Sequence, residues 1–207
     1  MTENRDHEMC AIGTVTFMFI DIEGSTQLVE RIDGDFADVL DDFYKLVAAA
    51  TQARQGRVVE TDGDGVFAVF KDPAAALEAS VEVQRRLAMT PVSHGVRLRV
   101  RIGLHIGNAV AASGSYVGRE VHRAARISDA GHGGQIVMSS AIKSELGDAL
   151  CSLDWQTRDL GTYLLKGLSR PEQLFQLEVP GLEVEFPGLR AEPVMTDIDL
   201  AAYTHLL

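Results

Sequence analysis

Two aspartates carry the strongest chemical signal in this 207-residue chain. Asp21 ends the apolar run Phe17-Met-Phe-Ile20 and is followed by Ile22-Glu-Gly24-Ser25-Thr26, where a strand pattern gives way to a helix start. Asp64 sits on Asp62-Gly-Asp-Gly65, a tight turn between two apolar stretches. Carboxylates are hard oxygen donors that suit hard cations. Unpaired amides at a helix start beside one of them suit a phosphate chain. Either segment alone also reads as an acidic strand end capping its own turn. Glu60, Asp62 and Asp64 form one acidic cluster, which alone is equally the solvent-facing side of a hairpin.

Composition narrows the partners. The net charge of -11 argues against a nucleic-acid backbone or an anionic membrane surface. An acidic protein that binds an anionic nucleotide needs metal ions or a few placed cations. The chain is 46% hydrophobic with mean hydropathy +0.03, enough for a sizeable core. No run approaches the roughly 18 apolar residues of a membrane span. The N-terminus is polar and lacks a signal-peptide core. Two cysteines, Cys10 and Cys151, suggest neither a disulfide framework nor a metal knuckle, so the expected setting is a reducing cytoplasm.

The elements that must position the two aspartates follow from periodicity. Gly13 to Ile20 reads as a buried strand. A helix starts near Ser25 or Thr26, either able to N-cap it, and another at Asp35, running to Gly56 on Phe36, Val39, Leu40, Phe43, Leu46 and Val47. Val58 to Phe70 is a hairpin around the Gly-Asp-Gly turn. Asp72-Pro73 opens a helix to about Met89. From Arg97 to His105, Leu98, Val100, Ile102 and Leu104 alternate with Arg97, Arg99 and Arg101, a strand with one polar face. A helix over 118–130, a strand over 135–139, a short helix over 141–146 and strands over 159–165 and 173–179 complete the pattern. This order predicts an α+β sandwich, a mixed sheet with helices on one face, and excludes a doubly wound fold. The expected organisation is an N-terminal tail over 1–12, one domain over 13–180, and a linker or docking tail over 181–207 with a short helix from Asp197.

Five motifs together resemble the catalytic domain of class III nucleotidyl cyclases, of the bacterial branch, over about 13–179. They are Phe19-Ile-Asp21-Ile-Glu-Gly-Ser-Thr26, Thr61-Asp-Gly-Asp64-Gly65, Leu104-His-Ile-Gly107, Tyr116-Val-Gly118-Arg-Glu-Val121-His122-Arg-Ala-Ala-Arg126 and Leu165-Lys166-Gly167. The resemblance implies a ferredoxin-like fold and an enzyme that converts a nucleoside triphosphate to a 3′,5′-cyclic nucleotide and pyrophosphate, for intracellular signalling. It implies two divalent cations, Mg²⁺ or Mn²⁺, held by Asp21, Asp64 and the Ile22 carbonyl. The amides from Glu23 through Gly24 and Ser25 to Thr26 would take the β- and γ-phosphates. Arg126 would neutralise transition-state charge, and Lys166 would contact the terminal phosphates. The family forms its sites at a head-to-tail dimer interface, so a homodimer with two shared sites is implied.

Three positions depart from the adenylyl pattern. Glu60 replaces the usual lysine, Ser115 the usual aspartate, and His122 the usual asparagine. A lysine only donates, which suits adenine N1; a carboxylate only accepts, which suits the N1–H and N2–H₂ edge of guanine. Glu60 and Ser115 therefore lean toward GTP. His122 can still donate to the ribose ring oxygen or simply pack. His105 and His132 read as structural, with no zinc-like spacing. Adenylate cyclase, a pyrimidine (UTP or CTP) cyclase of antiphage defence, and a degenerate nucleotide-binding module without turnover remain alternatives.

Overall fold

The computed structural model describes residues 10–112, 115–147, 150 and 153–194. In chain order the elements are β1 (Cys10–Ile22), α1 (Ser25–Ile32), α2 (Phe36–Ala53), β2 (Arg57–Asp62), β3 (Gly65–Phe70), α3 (Pro73–Met89) and β4 (Val100–Ala112). There follow β5 (Ser115–Val117), α4 (Arg119–Ala130), β6 (Ile136–Ser139), α5 (Ser140–Leu146), β7 (Gln156–Leu164), β8 (Glu172–Glu178) and β9 (Glu192–Pro193). The strands form one mixed sheet in the order β2-β3-β1-β4-β6-β8-β7-β9, with β5 paired to β4. Only β4 and β6 run parallel among these pairs.

Alternation along the central strand β1 divides the core. Met18, Ile20 and Ile22 point into a large apolar cluster with Val39, Phe43 and Val47 of α2, Leu77 of α3 and Ile142 of α5. Val15 and Phe17 point the other way, onto Phe67, Val69 and Ala124 of α4. The expected mixed sheet is present. Its helices share one face for α1, α2, α3 and α5, while α4 alone covers the opposite face. The approach of α4 depends on Gly103, where a Cβ would lie 2.2 Å from the Ser128 nitrogen.

The helix starts differ in how they are capped. Asp72 accepts the Ala74 amide at 2.9 Å with Pro73 at the first helical position, as the sequence predicts. Neither Ser25 nor Thr26 caps α1. The cap is Gly24, left-handed at φ 71°, with no side-chain bond, a conformation glycine adopts without Cβ strain. Asp35 precedes α2 but makes no capping bond. β4 runs seven residues past its expected end because β1 pairs along it as far as Cys10↔Ala111. The three-residue β5 is too short to carry a period of its own.

Residues 181–194 run as a strap along the sheet end. Gln176 Nε2 donates to the Val184 carbonyl at 2.7 Å, Leu189 is buried beside Ile127 and Val137, and β9 pairs with β7. The helix expected from Asp197 and the N-terminal residues 1–9 lie outside the described residues. Among the described residues, no helix is long and apolar enough to cross a membrane.

Candidate functional site

Strand register brings the two aspartates together. Asp21 pairs with Gly65 of β3 on one side and Arg101 of β4 on the other. The Ile22 amide donates to the Asp64 carbonyl at 3.2 Å, which ties the end of β1 to the hairpin turn. The same turn is pinned from α2, where the Tyr44 hydroxyl donates to the Gly63 carbonyl.

The two aspartates face one cleft. Its wall also carries Glu60, Asp62 and Asp129, and its apolar side is made by Phe19, Phe67 and Tyr116. Phe19 and Phe67 stack at 4.5 Å, and Tyr116 meets Phe67 edge-on. His122 of α4 lines the same cleft. Arg101 holds Asp21 in a bidentate pair, Nε to Oδ1 at 2.6 Å and Nη2 to Oδ2 at 2.8 Å. Burial pushes the Asp21 carboxyl above its ordinary range, Arg101 pulls it back, and Asp64 and Asp129 push it up again. Five carboxylates in one cleft repel a polyphosphate unless cations intervene.

These donors fit hard divalent cations. No three His, Cys, Asp or Glu side chains converge as a preformed cage among the described residues. Two carboxylates completed by backbone, water and phosphate oxygens is the usual arrangement for Mg²⁺. The raised Asp21 carboxyl, flanked by two further acids, is the group whose ionised form a cation would favour.

The remaining expected site residues lie elsewhere. Gly24 ends the turn from β1, Ser25 and Thr26 open α1, and the amides of all three have no backbone partner among the described residues. The Glu23 amide, expected to share in phosphate binding, is already spent on the Arg99 carbonyl at 2.8 Å. Ser115 starts β5 beside Tyr116 but does not line the cleft. Arg126 turns to Asp129 at 2.6 Å, and Lys166 is exposed on the turn after β7. The structure thus places Asp21, Asp64, Glu60 and His122 in one cleft and Ser115, Arg126 and Lys166 outside it.

His105, read from the sequence as structural, lies away from the cleft lining. It is buried, with Nδ1 at 2.8 Å from the Ser139 hydroxyl and Nε2 at 2.7 Å from Glu120. Glu120 also accepts from Arg123 at 2.7 Å, and Arg123 lies 3.2 Å from Glu172. His132 lies 3.0 Å from the Gly188 carbonyl. Sequence reasoning missed Arg101, Asp129 and Tyr44 as parts of the site. Asp129 lies three residues after Arg126, the spacing of a helical ion pair, so it was findable. Arg101 was visible only as polar-face alternation; its partner depends on β1–β4 register.

Residues 8–178 match the family model described as "Adenylate and Guanylate cyclase catalytic domain". The uncharacterized protein Rv0891c of Mycobacterium tuberculosis is 34% identical over 195 residues, which cover 93% of this chain and 66% of that relative. This chain therefore spans just under two thirds of that relative's length. A solved structure of Trypanosoma brucei adenylate cyclase in its monomeric state superposes with TM-score 0.76 at 24% identity, covering 90% of this chain and 96% of that one. The guanylate cyclase domain of RhGC from Catenaria anguillulae in complex with GTP gives TM-score 0.73 at 19% identity, with 82% and 98% covered. At these identities the two structures speak for the fold.

Proposed function

The chain belongs to the adenylate and guanylate cyclase catalytic-domain family, and from that premise we propose a specific reaction. It closes a nucleoside triphosphate, GTP in preference, into a 3′,5′-cyclic nucleotide by two-metal catalysis in a cytoplasmic homodimer with shared sites. The ribose 3′-hydroxyl gives up its proton to water, its oxygen bonds to the α-phosphorus, the bond from that phosphorus to the bridging oxygen breaks, and pyrophosphate leaves. The observation that carries this reading is the acidic cleft in which strand register sets Asp21 beside the Asp64 turn.

Asp21 and Asp64, with the Ile22 carbonyl, would hold the two cations. When bound, these supply Lewis-acid activation of the attacking oxygen and charge neutralisation of the triphosphate. Arg101, bonded to both Asp21 carboxylate oxygens, fixes the orientation of that carboxylate at the cleft. The amides of Gly24, Ser25 and Thr26 hold the β- and γ-phosphates at the start of α1. From the second copy, Arg126 neutralises charge on the transferring phosphate, His122 positions the ribose and Lys166 meets the terminal phosphates. In the single chain Lys166 stands outside the cleft of its own Asp21 and Arg126 is turned to Asp129 at the cleft wall, whereas His122 lines that cleft, so its assignment to the second copy rests on the family resemblance.

Glu60 reads the base. It is exposed on β2 and lines the cleft, so its carboxylate can accept from guanine N1–H and N2–H₂; a contact of Ser115 with O6 is implied by the resemblance alone, since Ser115 stands outside the cleft beside Tyr116. Adenine would set the N1 acceptor against that carboxylate, a mismatch of roughly 1–3 kcal/mol, about ten- to a hundredfold. The test is incubation of the purified protein with Mn²⁺ or Mg²⁺ and each of ATP, GTP, CTP and UTP, with products identified by mass spectrometry. Cyclic GMP is expected to dominate and to vanish in Asp64→Ala. A different preferred base overturns the role of Glu60; no cyclic product from folded protein overturns the enzymatic reading.

A further inference from the structure

Glu23 immediately precedes the turn whose amides are offered to phosphate, so an unpaired carboxylate there would repel a triphosphate. Its side chain is instead held by Arg190 and Gly133, and its backbone by Arg99. Arg190 of the strap forms an ion pair with it. Gly133, in the loop between α4 and β6, lies so close that a Cβ would stand 2.5 Å from Glu23 Oε2. Arg99 accepts the Glu23 amide with its own carbonyl, while its guanidinium donates to the Gly133 carbonyl and to Glu183 of the strap, the latter at 2.8 Å.

Arg190 is itself fixed in place. Its amide donates to the Ala130 carbonyl at 2.8 Å, at the end of α4, and the neighbouring Leu189 is buried against Ile127 and Ala130. The Gly188 carbonyl lies 3.0 Å from His132 Nε2. The guanidinium therefore reaches Glu23 from an anchored backbone rather than from a free tail. None of these contacts is explained by the packing of the sheet alone, since the strap meets the β1–α1 turn through charged groups.

We propose that Arg190, through its ion pair with Glu23, is a positioning residue for the phosphate-binding turn Gly24–Thr26, so that the strap sets affinity for the triphosphate part of the substrate. The inference rests on the cyclase reading above. Two effects combine in it. The pair neutralises the Glu23 charge beside a polyanion, and it directs the side chain toward Gly133 and away from the turn amides.

The test compares Arg190→Ala, Glu23→Gln and the double variant by steady-state kinetics, and by calorimetric binding of a non-cyclisable triphosphate analogue and of the matching nucleoside. Arg190→Ala is expected to raise KM and weaken triphosphate binding by about three- to tenfold, with kcat within about twofold and nucleoside binding unchanged. In the Glu23→Gln background the same substitution is expected to have little effect, because no charge remains to be neutralised. Arg190→Lys should recover part of the affinity. An Arg190→Ala effect of equal size in both backgrounds would show that the strap acts through packing and would overturn the proposal. So would a loss of nucleoside binding equal to that of the triphosphate, or unchanged triphosphate affinity in an active wild type. If the wild type itself neither binds nor cyclises a triphosphate, the cyclase reading fails, and this inference with it.

Discussion

On one face of the sheet, Met18, Ile20, Ile22, Phe43 and Leu77 meet almost wholly through apolar side chains. On the other, the apolar contacts of Phe17 and Ala124 are interleaved with Asp21–Arg101 and with His105, Glu120, Arg123 and Glu172. The first face loses free energy when atoms are removed from it. The second holds charges at fixed positions, at the cost of desolvating them. The contrast teaches where to look for chemistry: the face covered by the single helix α4, where the cleft opens, is the face that carries the proposed site residues.

Substitutions can break this division. Asp21→Ala or Asp64→Ala is expected to abolish turnover, with circular dichroism close to wild type and, for Asp64→Ala, the unfolding midpoint as well. For Asp21→Ala, which removes the carboxylate partner of Arg101, only circular dichroism is expected to match wild type and the midpoint is expected to fall; full activity in either variant would contradict the account. Phe43→Ala, on the apolar face, should do the reverse. It is expected to cost about 3–5 kcal/mol in denaturant unfolding while the folded fraction keeps its kcat. A comparable loss of kcat per folded molecule would blur the two faces into one.

Smaller changes sharpen the comparison. Tyr44 reaches from the apolar face to the Asp64 turn, so Tyr44→Phe removes one hydrogen bond and little volume. The expected stability loss is about 1 kcal/mol, with a larger apparent Mg²⁺ requirement for activity. An unchanged metal requirement would detach α2 from the site.

The smallest effect concerns pH. Burial holds the His105 imidazole below its ordinary pKa despite Glu120, and Arg123 adds to the lowering. The unfolded state then binds more protons than the folded state as pH falls through the ordinary histidine range. Stability from this group is full above that range and is lost on acidification, with a slope of at most about 1.4 kcal/mol per pH unit. His105→Gln should flatten that part of the stability–pH curve, measured by urea unfolding between pH 5 and 8. An unchanged slope would assign the acid loss to other groups.

The sequence made the framework legible because strong periods and turn residues coincide. Val39, Phe43 and Val47 mark one helix face, Asp72-Pro73 marks a cap, and Asp62-Gly-Asp-Gly65 marks a turn. The short β5 and the placement of α4 across the sheet were not legible, because three residues carry no period and the choice of face depends on partners distant in sequence. Within the site, the positions of Asp21 and Asp64 relative to their turns were readable locally. The Arg101–Asp21 pair, 80 residues apart, and the Arg190–Glu23 pair, 167 residues apart, depend on register and on the path of the strap.

The central claim is that the cleft of one chain holds half of a cyclase site and a second copy supplies the rest. Its most direct test mixes Asp21→Ala with Arg126→Ala protein, each inactive alone, under conditions where subunit exchange is verified. Roughly a quarter of wild-type activity is expected at equal mixing, since about half the dimers are mixed and each carries one intact site of two. No recovery in demonstrably mixed dimers would contradict the account.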